Sequence, residues 1–143
     1  MADQSMIEEQ NVTAVALSEV FRAAYMDVHA VNEHSFTVKG LQFPFHLGIS
    51  VEPGHKLVSF LDQNRLYRID KADALALCNE ANANLGPARF FVFQHQTGLV
   101  VVTHYQLTFE RGIFPFHLIT TFRTFEQCVG SALSGLFKDY IRP

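Results

Sequence analysis

Two consecutive β-rich runs that are apolar on both faces constrain this chain most. The runs cover residues 89–95 and 99–109, and the glycine of the short connection, Gly98, can adopt the positive φ of a tight hairpin loop. Large apolar side chains follow one another without alternation in the first run, RFFVFQH, so that Phe91 and Phe93 point to one face while other apolar residues point to the opposite face. We therefore expect a hairpin that cannot leave either face in water.

The segment before this hairpin is typical of a helix over about residues 71–85. Asp70 is a candidate N-cap, Asp73 places an acid in the first turn, and Gly86-Pro87 supplies a left-handed cap and a stop. Alanine, leucine and cysteine lie almost all the way round the helix instead of forming one stripe. This pattern predicts apolar contacts on two sides.

Two further helices are expected nearer the chain ends. Apolar residues follow helical spacing over about residues 12–28 and again over about 121–140. Gly130 and Gly135 lie inside the second of these, where each glycine costs about 1 kcal/mol relative to alanine. We expect both glycines to lie close to a strand or to the first helix, because close packing would offset that cost.

The remaining pattern completes an α+β fold. Between residues 36 and 67 the apolar period changes to two, with a strand that starts near Pro44 and another over 56–61. The order α-β-β-β-α-β-β-α predicts an antiparallel sheet of about five strands with three helices. At 143 residues the chain suits one domain over 12–143, preceded by a disordered tail over 1–11.

Charge and hydropathy exclude several classes of partner. A net charge of −3 and a pI near 6.1 provide no basic field for nucleic acid or an anionic membrane. No apolar stretch approaches the ~20 residues that span a bilayer, and the first thirty residues lack a secretory signal. We expect a cytoplasmic protein that binds neither nucleic acid nor membrane.

Candidate catalytic and metal-binding residues are present, but their spacing is unfavourable. None of the seven histidines forms a His-x-His or His-x-x-x-His pair, and Cys78 and Cys128 lie fifty positions apart on helical apolar faces. Ser131 and Ser134 fall inside a helix and lack a nucleophile elbow. We expect no catalytic site, no metal and no cofactor.

The pentapeptide FPFHL occurs at 43–47 and 114–118, which we attribute to chance in a chain with 14 Phe.

Several segments together resemble the YbjN-like domain family, which is similar in element order to type III secretion chaperones of the CesT kind. They are residues 77–82 with Asn79 and Asn82 in an Asn-x-x-Asn motif, the hairpin with Gly98, the loop at Gly112 and the helix over 122–137. The resemblance implies a non-enzymatic, often dimeric bacterial cytoplasmic domain that regulates or binds other proteins.

Two functions follow as hypotheses. The first is a protein-binding or regulatory module, chaperone-like, that forms a homodimer and binds a protein client. Its surface would be the hairpin face opposite helices one and three together with the second helix, because those two helices can cover only one side of the sheet. The candidate residues are Leu75, Cys78, Asn79, Asn82, Phe91, Phe93 and Val101. The sequence leaves open whether Phe91 and Phe93 or Phe90 and Val92 face outward, and we choose the first pair because it shares its face with His95. The alternative is a small-molecule-binding or enzymatic α+β domain with a pocket between sheet and helices lined by Phe and His.

Overall fold

The computed structural model describes residues 5–142, and in this part of the chain three α-helices and six β-strands form an α+β fold. The strands form one sheet in the order β1-β2-β3-β4-β6-β5, and the registered pairs are antiparallel. The elements are α1 Ala14–Ala23, β1 Asp27–His29, β2 Ser35–Lys39, β3 His46–Glu52, β4 Leu57–Arg65, α2 Lys71–Asn84, β5 Arg89–His95, β6 Gly98–Thr108 and α3 Pro115–Ser134. The expected fold class is confirmed, with one strand more than the sequence indicated.

The chain divides into two compact units. The first contains the described residues up to Phe60 together with Gln106–Glu126, and the second contains Leu61–Tyr105 and the described residues from Gln127 onwards. β4, β6 and α3 each contribute residues to both units.

An aromatic cluster forms the core of the first unit. The ring of Phe21, on α1, lies 5.7 Å from that of Phe36 and 5.1 Å from that of Phe122, and Phe60 lies 5.7 Å from Phe125, all measured between centroids. These five side chains are almost completely buried. Such tilted and edge-to-face pairs add to the burial of large apolar surface, so the cluster holds α1 and α3 against the strands of this unit.

The first helix is shorter than expected, because its last predicted residues form a strand instead. α1 ends at Ala23, and Tyr25 takes a left-handed backbone conformation with φ of 62°. The chain then turns into β1, where Val28 lies opposite Val38 of β2. The apolar spacing of the residues after Ala23 is compatible with a helix and with a strand. The turn at Tyr25 ends the helix, so these residues form β1, the strand that the sequence did not indicate.

In the second unit, α2 has the expected bounds and caps. The Asp70 side chain accepts a hydrogen bond from the Asp73 backbone N–H, and Gly86 follows the helix with φ of 80°. The helix packs on β5 and buries one stripe, formed by Ala74, Cys78 and Ala81. The expected apolar contact on a second side is not made within the described chain, so the other side of α2 is exposed.

The third helix is displaced towards the N-terminus relative to the prediction. It starts at Pro115, since proline fits the first turn of a helix, where its missing N–H costs nothing. It ends at Ser134, after which residues 135–140 form turns. Gly130 is buried, but Gly135 is exposed and, among the described residues, has only the Ser131 carbonyl close to it. The prediction that Gly135 packs against a strand or α1 was wrong.

The described part of the N-terminal segment is not a disordered tail. Residues 1–4 lie outside the described residues, but Glu9–Asn11 form a short 3-10 helix. Ile7 and Ile113 exchange two backbone hydrogen bonds of 2.8 and 2.9 Å, which the charged composition of the segment did not indicate. These bonds anchor the segment because they satisfy backbone groups that would otherwise need water.

The repeated pentapeptide has two different conformations. Residues 43–47 form a loop that leads into β3, whereas residues 114–118 form the start of α3. The repeat therefore does not mark a duplicated structural unit.

Candidate functional site

The hairpin of β5 and β6 presents an apolar surface to solvent. Its register places Phe91 opposite Val102 and Phe93 opposite Val100, so the four side chains share one face. The two-residue connection begins after His95, which lies opposite Gly98. The expected hairpin is therefore confirmed, including its turn.

This face is uncovered within the described chain. Phe91 is 45% exposed and Phe93 is 53% exposed, whereas Phe90, which points to the opposite face, is buried. We call this surface the hairpin face and define it by the residues that line a shallow groove of about 230 Å³: Leu61, Gln63, Phe91, Phe93, His95, Val100 and Val102. The sequence predicted that neither face of the hairpin could remain in water, yet this face is uncovered within the described residues.

The hairpin turn is held by an arginine of β4. Arg65 Nη2 donates a 2.5 Å hydrogen bond to the Thr97 carbonyl, and its guanidinium lies 5.1 Å from the centre of the Tyr67 ring. Gly98 has a φ of 141°, and a Cβ atom there would lie 3.5 Å from the Arg65 side chain. These contacts fix the end of the hairpin, and hence the positions of Phe93 and His95 beside it.

Three of the predicted surface residues on α2 have different surroundings. Leu75 and Asn79 are exposed and lie one helical turn apart, which places them on one side of the helix. Asn82 donates a hydrogen bond to the Phe90 carbonyl and accepts one from the Phe90 N–H. Asn82 therefore joins α2 to β5, whereas Leu75 and Asn79 are an apolar and a polar group on the exposed side of the helix.

Two of the residues that were candidates for partner binding are buried. Val101 is 2% exposed because it lies opposite Val92, on the face of the hairpin away from Phe91. Cys78 is also 2% exposed, and burial raises the pKa of its thiol to about 11. Neither residue can contact a partner directly. Cys128 is buried as well, so both thiols behave as the core residues that the sequence indicated.

A second apolar groove lies in the first unit, between α1 and the beginning of α3. It measures about 560 Å³ and is lined mainly by small and apolar side chains, with Glu19 and Arg123 among them. Phe116 is 71% exposed at this groove. None of the described histidines lines it, so it differs from the Phe- and His-lined pocket of the alternative hypothesis.

Asp27, His29 and His46 form a cluster on the strands of the first unit. The Nε2 atom of His29 lies 2.9 Å from Asp27 Oδ2, and the rings of His29 and His46 are 5.0 Å apart between centroids. The hydrogen bond from His29 lowers the pKa of the Asp27 carboxyl. Sequence spacing missed this group because β1 was not foreseen. The sequence signal that could have revealed the cluster is Asp27-x-His29, because residues two apart on a strand point to the same face.

Two carboxyl groups are partly or fully buried away from these surfaces. Burial raises the pKa of Asp62 to about 6, while a hydrogen bond from Asn64 opposes the shift. Burial also raises the pKa of Glu126, against a hydrogen bond from the Phe43 backbone. The Glu126 Oε2 atom has no hydrogen-bond partner among residues 5–142.

The hairpin face contains neither of these carboxyl groups. Among the seven residues that define it, only His95 has an ionisable side chain. General acid–base or nucleophilic chemistry needs several reactive groups in a shared geometry, and this face supplies one such group.

Comparisons with known proteins support the fold. No family model matches the chain, and no curated protein sequence matches it. The chain is similar in structure to YbjN, a proposed transcription regulator from E. coli, with a TM-score of 0.74, 12% identity and coverage of 90% of this chain and 95% of YbjN. The chain therefore has a YbjN-like fold.

Two further solved structures share this fold. An uncharacterized protein from Methanothermobacter thermautotrophicus has a TM-score of 0.62 at 8% identity, and the match covers 88% of this chain and 97% of that protein. A chain of the HopA1–SchA chaperone–effector complex has a TM-score of 0.55 at 15% identity, and the match covers 81% of this chain and 89% of the other. None of the helices among the described residues combines the length and apolar character needed to cross a bilayer.

Proposed function

We propose that this protein is a non-enzymatic protein-binding module of the bacterial cytoplasm that forms a homodimer through its hairpin face and binds a protein client or regulatory partner. The observation that carries the proposal is the exposure of Phe91 and Phe93 on a strand whose neighbour adds Val100 and Val102 to the same face. Leu75 and Asn79, on the open side of α2, complete the proposed surface.

The free energy of exposing apolar surface to water favours burial of the hairpin face in an interface. Apolar surface exposed to water is unfavourable by about 25 cal/mol per Å², and phenylalanines are among the side chains that dominate interface energetics. A twofold partner covers the face with an identical apolar surface, so no second surface has to be complementary to it. On the outer side of α2, Ala72 and Ala76 are exposed and small enough to allow the client a close approach.

The structural neighbours support a binding role. One of the similar folds belongs to a chaperone–effector complex and another to a proposed transcription regulator. Both descriptions concern proteins that act on other macromolecules. The net charge of −3 favours a protein over a nucleic acid as the partner of this chain.

The small-molecule alternative fits the hairpin face less well. Its groove of about 230 Å³ is smaller than the roughly 300–1,000 Å³ of typical ligand pockets. It also offers a single ionisable group, His95, where an enzyme needs an acid, a base or a nucleophile in a shared geometry. A broad and shallow apolar surface is suited to another protein surface.

Light scattering coupled to gel filtration tests the proposal. We expect the unmodified protein to have twice the 16.2 kDa chain mass at micromolar concentration. F91E and F93E should give monomers, because each places a charge in the centre of the interface. The matched control is V15E, which introduces the same charge at a 56% exposed position of α1 and should remain a dimer.

A monomeric unmodified protein would contradict the homodimer. Dissociation of V15E to the same extent as F91E would contradict the assignment of the dimer interface to the hairpin face. The client is tested separately by cross-linking cell lysate to the dimer and to a variant with Leu75→Glu. Loss of a stoichiometric protein partner in that variant, with the dimer intact, supports client binding on α2.

A further inference from the structure

We propose that Asp27, His29 and His46 form a binding site for one divalent transition-metal ion of the Zn²⁺ type. The inference is independent of the proposed dimer, and it departs from the expectation of no metal because the sequence spacing did not reveal the cluster. The ligand atoms of the three side chains all lie within 4.8 Å of one another.

Strand register brings the three residues to one face. Asp27 and His29 are two residues apart on β1, so their side chains point in the same direction. Across the sheet, Asp27 lies opposite Lys39, which lies opposite His46 of β3. Residues directly opposite one another share a face, so His46 joins the two residues of β1.

The face between these residues is open enough for the two imidazoles to meet. His29 and His46 belong to strands that β2 separates, yet their rings come to 5.0 Å between centroids. The residues opposite His29 along this row are Thr37 and Gly48, which are small or lack a side chain. The Thr37 hydroxyl donates a 3.3 Å hydrogen bond to the His29 carbonyl and so points away from the imidazoles. This row of the register therefore places no bulky side chain between the imidazoles.

The distances suit an ion with short bonds to nitrogen and oxygen. Ligands held about 2.0–2.2 Å from a tetrahedral Zn²⁺ lie roughly 3.4 Å apart. The pair His29 Nε2 and Asp27 Oδ2 is already closer, at 2.9 Å, and the widest separation in the cluster is within 4.8 Å. All three residues are exposed, so side-chain rotations without movement of the strands can bring the ligand atoms into place.

The donor types select the class of ion. Two imidazoles and one carboxylate suit Zn²⁺ and neighbouring transition metals, whereas Mg²⁺ and Ca²⁺ prefer oxygen ligands alone. Three protein ligands leave a coordination position for water or for a group of another molecule. Lys39 lies between Asp27 and His46 in the register, and its positive charge opposes the ion. The site is therefore open and weaker than a closed structural zinc site.

Isothermal titration of the tag-free protein with zinc chloride, in a buffer that does not coordinate metals, tests the site. We expect one equivalent of Zn²⁺ to bind. D27N and H46Q should each weaken the affinity by about tenfold or more, because each removes one of three ligands. Circular dichroism of each variant verifies the fold, which we expect to be retained because the replaced side chains are exposed.

His55 offers a matched control. Its Nδ1 atom lies 3.8 Å from Glu52 Oε2, so it is an exposed imidazole beside a carboxylate without the third ligand of the cluster. H55Q should bind Zn²⁺ with the affinity of the unmodified protein. The proposal is overturned if no saturable one-to-one binding occurs below millimolar zinc, if H46Q binds as tightly as the unmodified protein, or if H55Q weakens binding as much as H46Q.

Discussion

The side-chain amide of Asn82 and the backbone of Phe90 form a reciprocal pair of hydrogen bonds. The Phe90 N–H donates to Asn82 Oδ1 over 2.7 Å, and Asn82 Nδ2 donates to the Phe90 carbonyl over 2.9 Å. The pair satisfies both backbone groups of Phe90, whose side chain is buried. It therefore holds β5 against α2 at Phe90, and alternation along the strand places the next residue, Phe91, on the opposite, exposed face.

We expect N82A to lower the free energy of unfolding by about 1–3 kcal/mol, because the change leaves two backbone groups of Phe90 without their partners. Urea denaturation at a fixed protein concentration measures the effect. N79A, one turn earlier on the exposed side of α2, is the control and should change stability by less than about 0.5 kcal/mol. Equal effects of N82A and N79A would show that the paired bonds contribute nothing.

The backbone at Gly86 requires glycine. Its φ is 80°, and a Cβ atom there would lie 3.3 Å from Cys128 Sγ. We expect G86A to destabilise the protein by about 1–2 kcal/mol, since the left-handed conformation is costly for a residue with a side chain. A Cβ atom at Gly54 would meet none of the described residues within 4 Å, so G54A is the matched control and should be neutral or slightly stabilising. A melting temperature for G86A at or above that of G54A would contradict this prediction.

Stability should fall as the pH rises through the pKa of Asp62. Burial raises this pKa from 3.8 to about 6, so between these values the folded protein holds a proton that the unfolded chain releases. The contribution of this group to stability is fully present below pH 3.8 and is lost as the pH passes about 6.

D62N removes the titrating group at this position. We expect the variant to gain about 1–3 kcal/mol relative to the unmodified protein above pH 6, compared with its difference at pH 4. Urea denaturation across this pH range measures the gain. E80Q removes an exposed carboxylate of α2 and is the control for net charge. A constant difference between D62N and the unmodified protein at all pH values would contradict the prediction.

Gly40 and Glu126 compete for the same space. A Cβ atom at Gly40 would overlap the buried carboxyl group of Glu126. We expect G40A to destabilise the protein by about 1–3 kcal/mol through overpacking. The added methyl group should cost less in an E126A background, because the shortened side chain leaves room for it. A double-mutant cycle measures this coupling, and additive effects of the two changes would show that Glu126 moves away without cost.

The sequence alone determined the local structures with strong local signals. The Asp70 cap and Gly86 bounded α2, and Gly98 with the apolar runs around it predicted the hairpin that the structure contains. These features depend on backbone conformation and side-chain alternation, which act within a few residues. Alternation along the strand separates Phe91 and Phe93 from Phe90, but it does not say which set faces solvent, and the structure exposes Phe91 and Phe93.

Tertiary structure decided everything that depends on residues distant in the chain. The spacing of residues 12–28 suited a helix throughout, but the turn at Tyr25 and the pairing of Val28 with Val38 make its end a strand. That strand brings Asp27 and His29 to His46, a meeting that no spacing along the chain could reveal. Val101 and Cys78 were candidates for partner binding, but cross-strand pairing and the packing of α2 bury them. Local patterns define which conformations are favourable, whereas burial and strand register, which involve the whole chain, select among them.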